Sequence, residues 1–319
     1  MRHTVWLAAA CLLLSACAGA EQAPQAATST SATSPTASAT SSPSATTPAT
    51  TSTTTTAKAT RTPTRTPTKA KPVKPSQSSR PSSKPSTAAL RSSLKGDSND
   101  AFAFAPLSNP ADVTVEGSVS SYKAWSTSKV LVVAAFLDTA CDGDPANASA
   151  QQKGWVKAAL TASDMNAVIA LRDAIPGSPG AAITRVLRSI GDTRTVAPDT
   201  SQGGMQWTIR EQVRFMAALS SGRVVSKAAS AYLLSSMRPI AAHRWGLGTI
   251  GAGPFKGGWL RSDTVTRQMG IVDGYAVAII TDAVGPAVRQ TDGDSAHVQQ
   301  MNYLARVLER RLAIESRRG

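Results

Sequence analysis

The sequence predicts an α+β domain: an antiparallel sheet flanked by helices, with an all-helical subdomain inserted between its strands. Three observations predict it. Short alternating runs stand at residues 101–118. Apolar residues then recur at helical spacing across about 140–240. Alternation returns after residue 254, and an amphipathic segment closes the chain.

In chain order, Arg2 and His3 precede an apolar run, Val5 to Leu14, which ends in "LSAC" at Cys17. The run is too short to span a bilayer and reads as a signal peptide over residues 1–16. Small residues just before a cysteine resemble the lipobox of bacterial lipoproteins. That resemblance implies cleavage before Cys17, lipidation of Cys17, and an exported protein anchored on the outer face of the cell membrane. An ordinary secretory signal is the other reading of the same residues.

Residues 17–85 are Ser, Thr, Ala and Pro with scattered Lys and Arg, as in "TPTRTPTKAKPVKPSQSSRPSSKPS". They hold too little apolar surface to offset the entropy of ordering, so they read as a disordered, extended stalk. The stalk also explains the net charge of +14. Residues 18–96 carry ten Lys or Arg and one acid, Glu21, whereas residues 97–319 carry 23 basic and 19 acidic residues. The excess charge lies in the tail and has no aromatic residues interleaved, which excludes base stacking and argues against a nucleic-acid partner.

The folded domain is expected over 86–319. "STAALRSSL" (Ser86–Leu94) reads as a short helix. Ala101–Leu107 and Asp112–Ser118 alternate like strands around a Ser-Asn-Pro turn. The apolar run after Lys129 is long for a strand and reads as a buried helix opened by capping hydroxyls. Five further helical segments follow to about residue 240, several separated by Gly and Pro. Asp273-Gly274 between two strand-like runs signals a hairpin, so the last strands form a three-stranded meander. Val298, Met301, Leu304, Leu308 and Leu312 then mark one stripe of a terminal helix, 295–314.

Cys141 is the one cysteine left after Cys11 and Cys17 are accounted for, so no internal disulfide or thiol metal cluster is expected. His243 and His297 lack acidic or cysteine neighbours and read as packed or surface residues; no metal and no cofactor is expected. Gly246–Gly251 matches G-x-G-x-x-G but follows no strand and opens no helix, which excludes a dinucleotide turn. Trp155, Trp207 and Trp245 read as core or groove-lining.

Ser-x-x-Lys occurs three times, at Ser92–Lys95, Ser120–Lys123 and Ser126–Lys129. Only the third opens a strongly apolar run. At a helix N-terminus its two side chains stand one turn apart on one face. A desolvated lysine there loses preference for its charged form and can deprotonate the serine. The bland reading makes Ser126 a helix cap and Lys129 a snorkelling surface lysine.

"STSK" (126–129), "SDMN" (163–166) and "KGGW" (256–259) stand in the order of Ser-x-x-Lys, Ser-Asp-Asn and Lys-Thr-Gly. In this the chain resembles serine β-lactamases and penicillin-binding proteins, the class A group in particular. The resemblance implies that Ser126 is the acylated nucleophile, Lys129 its base and Ser163 a proton relay. It implies that Lys256, with Gly257 and Gly258, faces a substrate carboxylate. The N–H groups of Ser126 and Trp259 would form the oxyanion hole. The substrate would be a β-lactam, a cell-wall peptide or a simple ester. Three departures stand against it. Met165 replaces the amide, leaving Asn166 one place late to contact substrate. Gly257 removes a hydroxyl. Residues 191–206 contain no Glu, only Asp192 and Asp199, so the usual activator of the deacylating water is missing. These departures keep a second reading open, a groove that binds wall peptide or a partner protein without turnover.

Overall fold

The computed structural model describes residues 91–282 and 296–318. The signal peptide, Cys17 and the stalk lie outside the described residues. Of the helix expected at Ser86–Leu94, only Arg91–Leu94 is described, and it is not helical. Glu116 explains why. Its carboxylate accepts from Leu94 N and from Ser93 Oγ, while Arg310 Nε donates to Arg91 O. These bonds hold the segment across neighbouring elements and leave its backbone no helical ladder.

Five strands form one antiparallel sheet: β1 (Asp100–Pro106), β2 (Thr114–Gly117), β3 (Phe255–Trp259), β4 (Thr266–Val272) and β5 (Tyr275–Thr281). Their spatial order is β2-β1-β5-β4-β3. The expected meander is therefore β3–β4–β5, and the first two strands extend it past β5. Val272 pairs with Tyr275 across the hairpin, whose central residues Asp273 and Gly274 both take positive φ, 44° and 79°. That is the left-handed pair a two-residue turn requires.

The alternation "AFAFA" in β1 sorts the two faces. Ala101, Ala103 and Ala105 join Ala276, Ala278 and Ile280 of β5 in the core under the helices. Phe102 and Phe104 join Val277 and Ile279 on the opposite face, against the terminal helix α7 (Ala296–Glu315). Small residues on one face let the helical layer approach closely; large ones on the other fill the space under a single helix. Met301, Leu304, Leu308 and Leu312 of α7 are buried there, as the stripe predicts.

Between β2 and β3 the regular elements are helical. The α-helices are α1 (Lys129–Ala140), α2 (Ala150–Lys157), α3 (Met165–Asp173), α4 (Pro179–Ser189), α5 (Ile209–Ser220) and α6 (Lys227–Ser236). Helix α1 is buried on all sides from Lys129 to Leu137, as a run with no polar face demands. The Gly246–Gly251 segment forms a 3-10 turn, Gly246–Ile250, and Leu247 and Ile250 pack in the core beside α7.

Candidate active site

The turn that starts α1 is a 3-10 turn, Trp125–Ser128. Its hydroxyls do not cap α1 as expected. Thr127 Oγ1 donates to Ala124 O, and Ser128 Oγ donates to Trp125 O at 2.7 Å. Both are spent on the turn itself, and Gln212 Nε2 on α5 donates to Thr127 Oγ1 at 2.9 Å. Ser126 makes neither kind of bond. Its Oγ accepts from Lys129 Nζ at 2.9 Å. Of the three Ser-x-x-Lys pairs, this is the one the fold converts into a contact. Ser120 bonds to Asp282, and Lys123 pairs with Asp263 at 2.7 Å.

Lys129 does not snorkel; only 3 % of it is exposed. Burial pulls its ammonium down to about 8, and the nearby Asp164 carboxylate works against that shift. A substantial fraction is therefore neutral amine near pH 8.

Ser163 follows a π-turn (Ala158–Ala162) and takes a left-handed backbone, φ 62°. A non-glycine residue in that region costs of order 1 kcal/mol and persists only where its surroundings hold it. Here the strained backbone aims Ser163 Oγ at Lys256 Nζ, 2.8 Å away on β3. Lys256 also donates to Gly257 O at 2.8 Å. Burial, and then the positive charge of Lys129, push Lys256 well below the ordinary lysine range. Two lysine–serine pairs thus stand at one site, close enough for the lysines to sense each other. Trp125 and Ser201 share the same backbone strain, φ 44° and 54°, and both line the adjoining cavity.

Strand β3 runs against the Ser126 turn with no room to spare. A Cβ built on Gly258 would stand 2.8 Å from Thr127 N and 2.9 Å from both Ala124 O and Ser126 N. Gly258 pairs with Arg267 on β4. That buried guanidinium donates to Tyr122 O, Lys123 O and Trp207 O at 2.7–2.9 Å. It ties the segment entering the turn to the sheet.

A cavity of about 300 Å³ opens beside Ser126 and Lys129. Met165, Val168, Ile169 and Arg172, one stripe of α3, form a wall; Ser201–Gly204 and Trp259 form others. Asn166, expected to touch substrate, is exposed on the first turn of α3 and does not line this cavity. Met165, one place earlier, faces it instead because helical phase turns neighbouring positions apart. Neither aspartate of the 191–206 loop lines the cavity. Asp199 accepts from Ser178 Oγ and Gly180 N at the start of α4, and Asp192 accepts from Arg194 N and Thr195 N. Trp207 and Trp245 are buried in the two cores and Trp155 packs against the helical one; the tryptophans that line the cavity are Trp125 and Trp259. His297 is buried beside Trp245 and Trp259, where desolvation pulls its imidazole down to about 4.

Sequence reasoning passed over three contributors. Asp164, inside "SDMN", accepts from Ala167 N as the cap of α3 and places its charge near Lys129. An acid just before a helix is a readable cap signal. Trp125 and Arg267 carried no such signal, because the first depends on a left-handed backbone and the second on which carbonyls a strand happens to face.

No protein-family model matches the chain, and no curated protein matches it. Solved structures do. The fold is similar to PBP-A (TM-score 0.51, 18 % identity, covering 70 % of this chain and 93 % of that one). It is similar to a β-lactamase from Chitinophaga pinensis (0.52, 16 %, 68 % and 94 %). It is also similar to the TLA-3 extended-spectrum β-lactamase (0.50, 15 %, 70 % and 95 %). The chain therefore carries a serine β-lactamase/penicillin-binding-protein-like fold.

Proposed function

We propose that the protein is a serine acyl-transfer hydrolase that forms an ester on Ser126 and releases it slowly. The observation that carries this reading is the 2.9 Å contact between Lys129 Nζ and Ser126 Oγ, made by a buried lysine whose pKa is lowered to about 8. Ser126 Oγ attacks the acyl carbonyl as Lys129 takes its proton. The N–H groups of Ser126 and Trp259 hold the oxyanion. The bond to the leaving group breaks, and the proton returns to the leaving atom, an ester oxygen or a lactam nitrogen, through Ser163, whose hydroxyl Lys256 orients. Hydrolysis of the ester needs a placed water and a base. No carboxylate lines the cavity among the described residues, so that half-reaction is slow.

The lack of a carboxylate in the cavity lining among the described residues, with Met165 in place of an amide, favours a second reading in which the groove binds cell-wall peptide or a protein partner without turnover. Intact-mass measurement over hours with several β-lactams and activated esters separates the two. The expected result is slow formation of a long-lived adduct, absent in Ser126→Ala. Rapid multiple turnover would require a deacylating base this reading lacks. No adduct with any reagent would leave the binding groove.

Lipidation of Cys17 would place this domain outside the cell membrane at the end of a basic stalk, within reach of wall polymers. The mature protein is then expected to partition with membranes, and Cys17→Ser to release it. Soluble wild-type protein retaining residues 1–16 would remove the anchor from this proposal.

A further inference from the structure

The cavity beside Ser126 has a mainly apolar wall. Val132 of α1 and Val168 and Ile169 of α3 line it, and Met165 and Leu260 stand among its lining residues. Met165 is 60 % exposed and Leu260 42 %, two of the four large apolar side chains exposed among the described residues. Two of the polar lining groups are engaged, while Trp125 Nε1 is buried with no hydrogen-bond partner among the described residues. Arg172 is paired with Asp173 at 2.8 Å, and Gln202 Nε2 donates to the carbonyls of Pro198 and Asp199. A water needs two to four polar partners to be held well, and the stripe of Val132, Met165, Val168, Ile169 and Leu260 supplies none.

The β3 side offers a carboxylate little. Gly257 brings no hydroxyl, and the Trp259 indole leans back over it. A Cβ at Gly257 would stand 3.0 Å from Trp259 Cζ3. That indole is held edge-on by His243 and Trp245, each with ring centres 5.2 Å away. Lys256 is 3 % exposed and spends its bonds on Ser163 Oγ and Gly257 O.

Resting on the reading of Ser126 as the acylated residue, we infer that its acyl donor is a neutral ester with an apolar acyl chain, not a donor bearing a carboxylate. The cavity, about 300 Å³, has the volume of about ten waters at roughly 30 Å³ each, which limits the chain to roughly ten carbons or fewer. The ester oxygen leaves toward Ser163; the acyl chain lies between α1 and α3, and its carbonyl carbon becomes the ester on Ser126.

The test uses the full chain and the p-nitrophenyl esters of acetate, butyrate, hexanoate, octanoate and dodecanoate. Release of p-nitrophenolate and intact mass give the acylation rate. The rate is expected to rise roughly two- to fourfold per methylene up to hexanoate or octanoate, then fall at dodecanoate. The p-nitrophenyl monoester of adipic acid, hexanoate with a terminal carboxylate, should acylate about tenfold more slowly than hexanoate. Ile169→Trp should move the optimum to acetate. Met165→Asp, at an exposed position that leaves the core intact, should lower the octanoate-to-acetate ratio by about tenfold. A flat chain-length series, or equal rates for adipate and hexanoate, with Ser126 still labelled, overturns this inference and leaves the acyl-transfer reading standing. No label from any ester or β-lactam overturns the acyl-transfer reading itself.

Discussion

Lys129→Met should cut the rate of Ser126 acylation by roughly a thousandfold, the middle of the range that a positioned proton acceptor contributes. The fold should survive the change, because an apolar side chain of similar length replaces a buried amine whose charge Asp164 offsets in part. Lys129→Arg should not rescue the rate, since a guanidinium stays protonated. In the wild type the rate should climb with pH and level off above about 8, where the amine is neutral. The stability sign runs the same way. Folding lowers this pKa from 10.5, so between about 8 and 10.5 the unfolded chain binds more protons and stability rises with pH. Lys129→Met loses that part of the pH dependence. Stopped-flow release of p-nitrophenolate across pH 6–10, with thermal melts of each variant, measures both. A Lys129→Met protein that melts as the wild type and acylates as fast would remove Lys129 from the mechanism.

The parts of this site that could be read from sequence are those that local periodicity controls. Ser126 and Lys129 are one helical turn apart, so the start of an apolar helix is enough to place them together. The alternation of Ala and Phe in β1 and the Asp273-Gly274 turn were legible for the same reason: each is a property of a few adjacent residues. The contact between Ser163 and Lys256 spans 93 residues, and only the resemblance to a known motif order pointed to it. The direction of the Trp259 ring was not legible at all. It depends on Gly257 leaving space on one strand and on His243 and Trp245 arriving from other segments. Asn166 stands outside the cavity for a phase reason: one residue of shift on a helix turns a side chain by about 100°, away from the cavity that Met165 lines. Capping by Thr127 and Ser128 fails because the chain enters α1 through a 3-10 turn whose own carbonyls accept those hydroxyls first.

Gly258→Ala should cost about a hundredfold in acylation, where Gly257→Ala one residue away should cost far less. The two glycines differ in what a methyl would meet. At Gly257 the nearest atom is Trp259 Cζ3 at 3.0 Å, a side-chain atom rather than backbone. At Gly258 the three nearest atoms are backbone, Thr127 N, Ala124 O and Ser126 N, all within 2.9 Å. Two of them, Thr127 N and Ala124 O, bond to each other across the Ser126 turn. The turn cannot yield easily, because Arg267 holds the carbonyls of Tyr122 and Lys123 and Gln212 holds Thr127. Either β3 moves away or the turn deforms. Both change the distance between the Ser126 and Trp259 N–H groups that would share the oxyanion, and a shift of about 1 Å at such a site costs on the order of 10²-fold. The overpacking itself should lower stability by about 1–3 kcal/mol. Burst kinetics with p-nitrophenyl hexanoate and urea melts of both variants decide the point. Equal burst rates for Gly258→Ala and the wild type would mean that β3 does not set the geometry at Ser126.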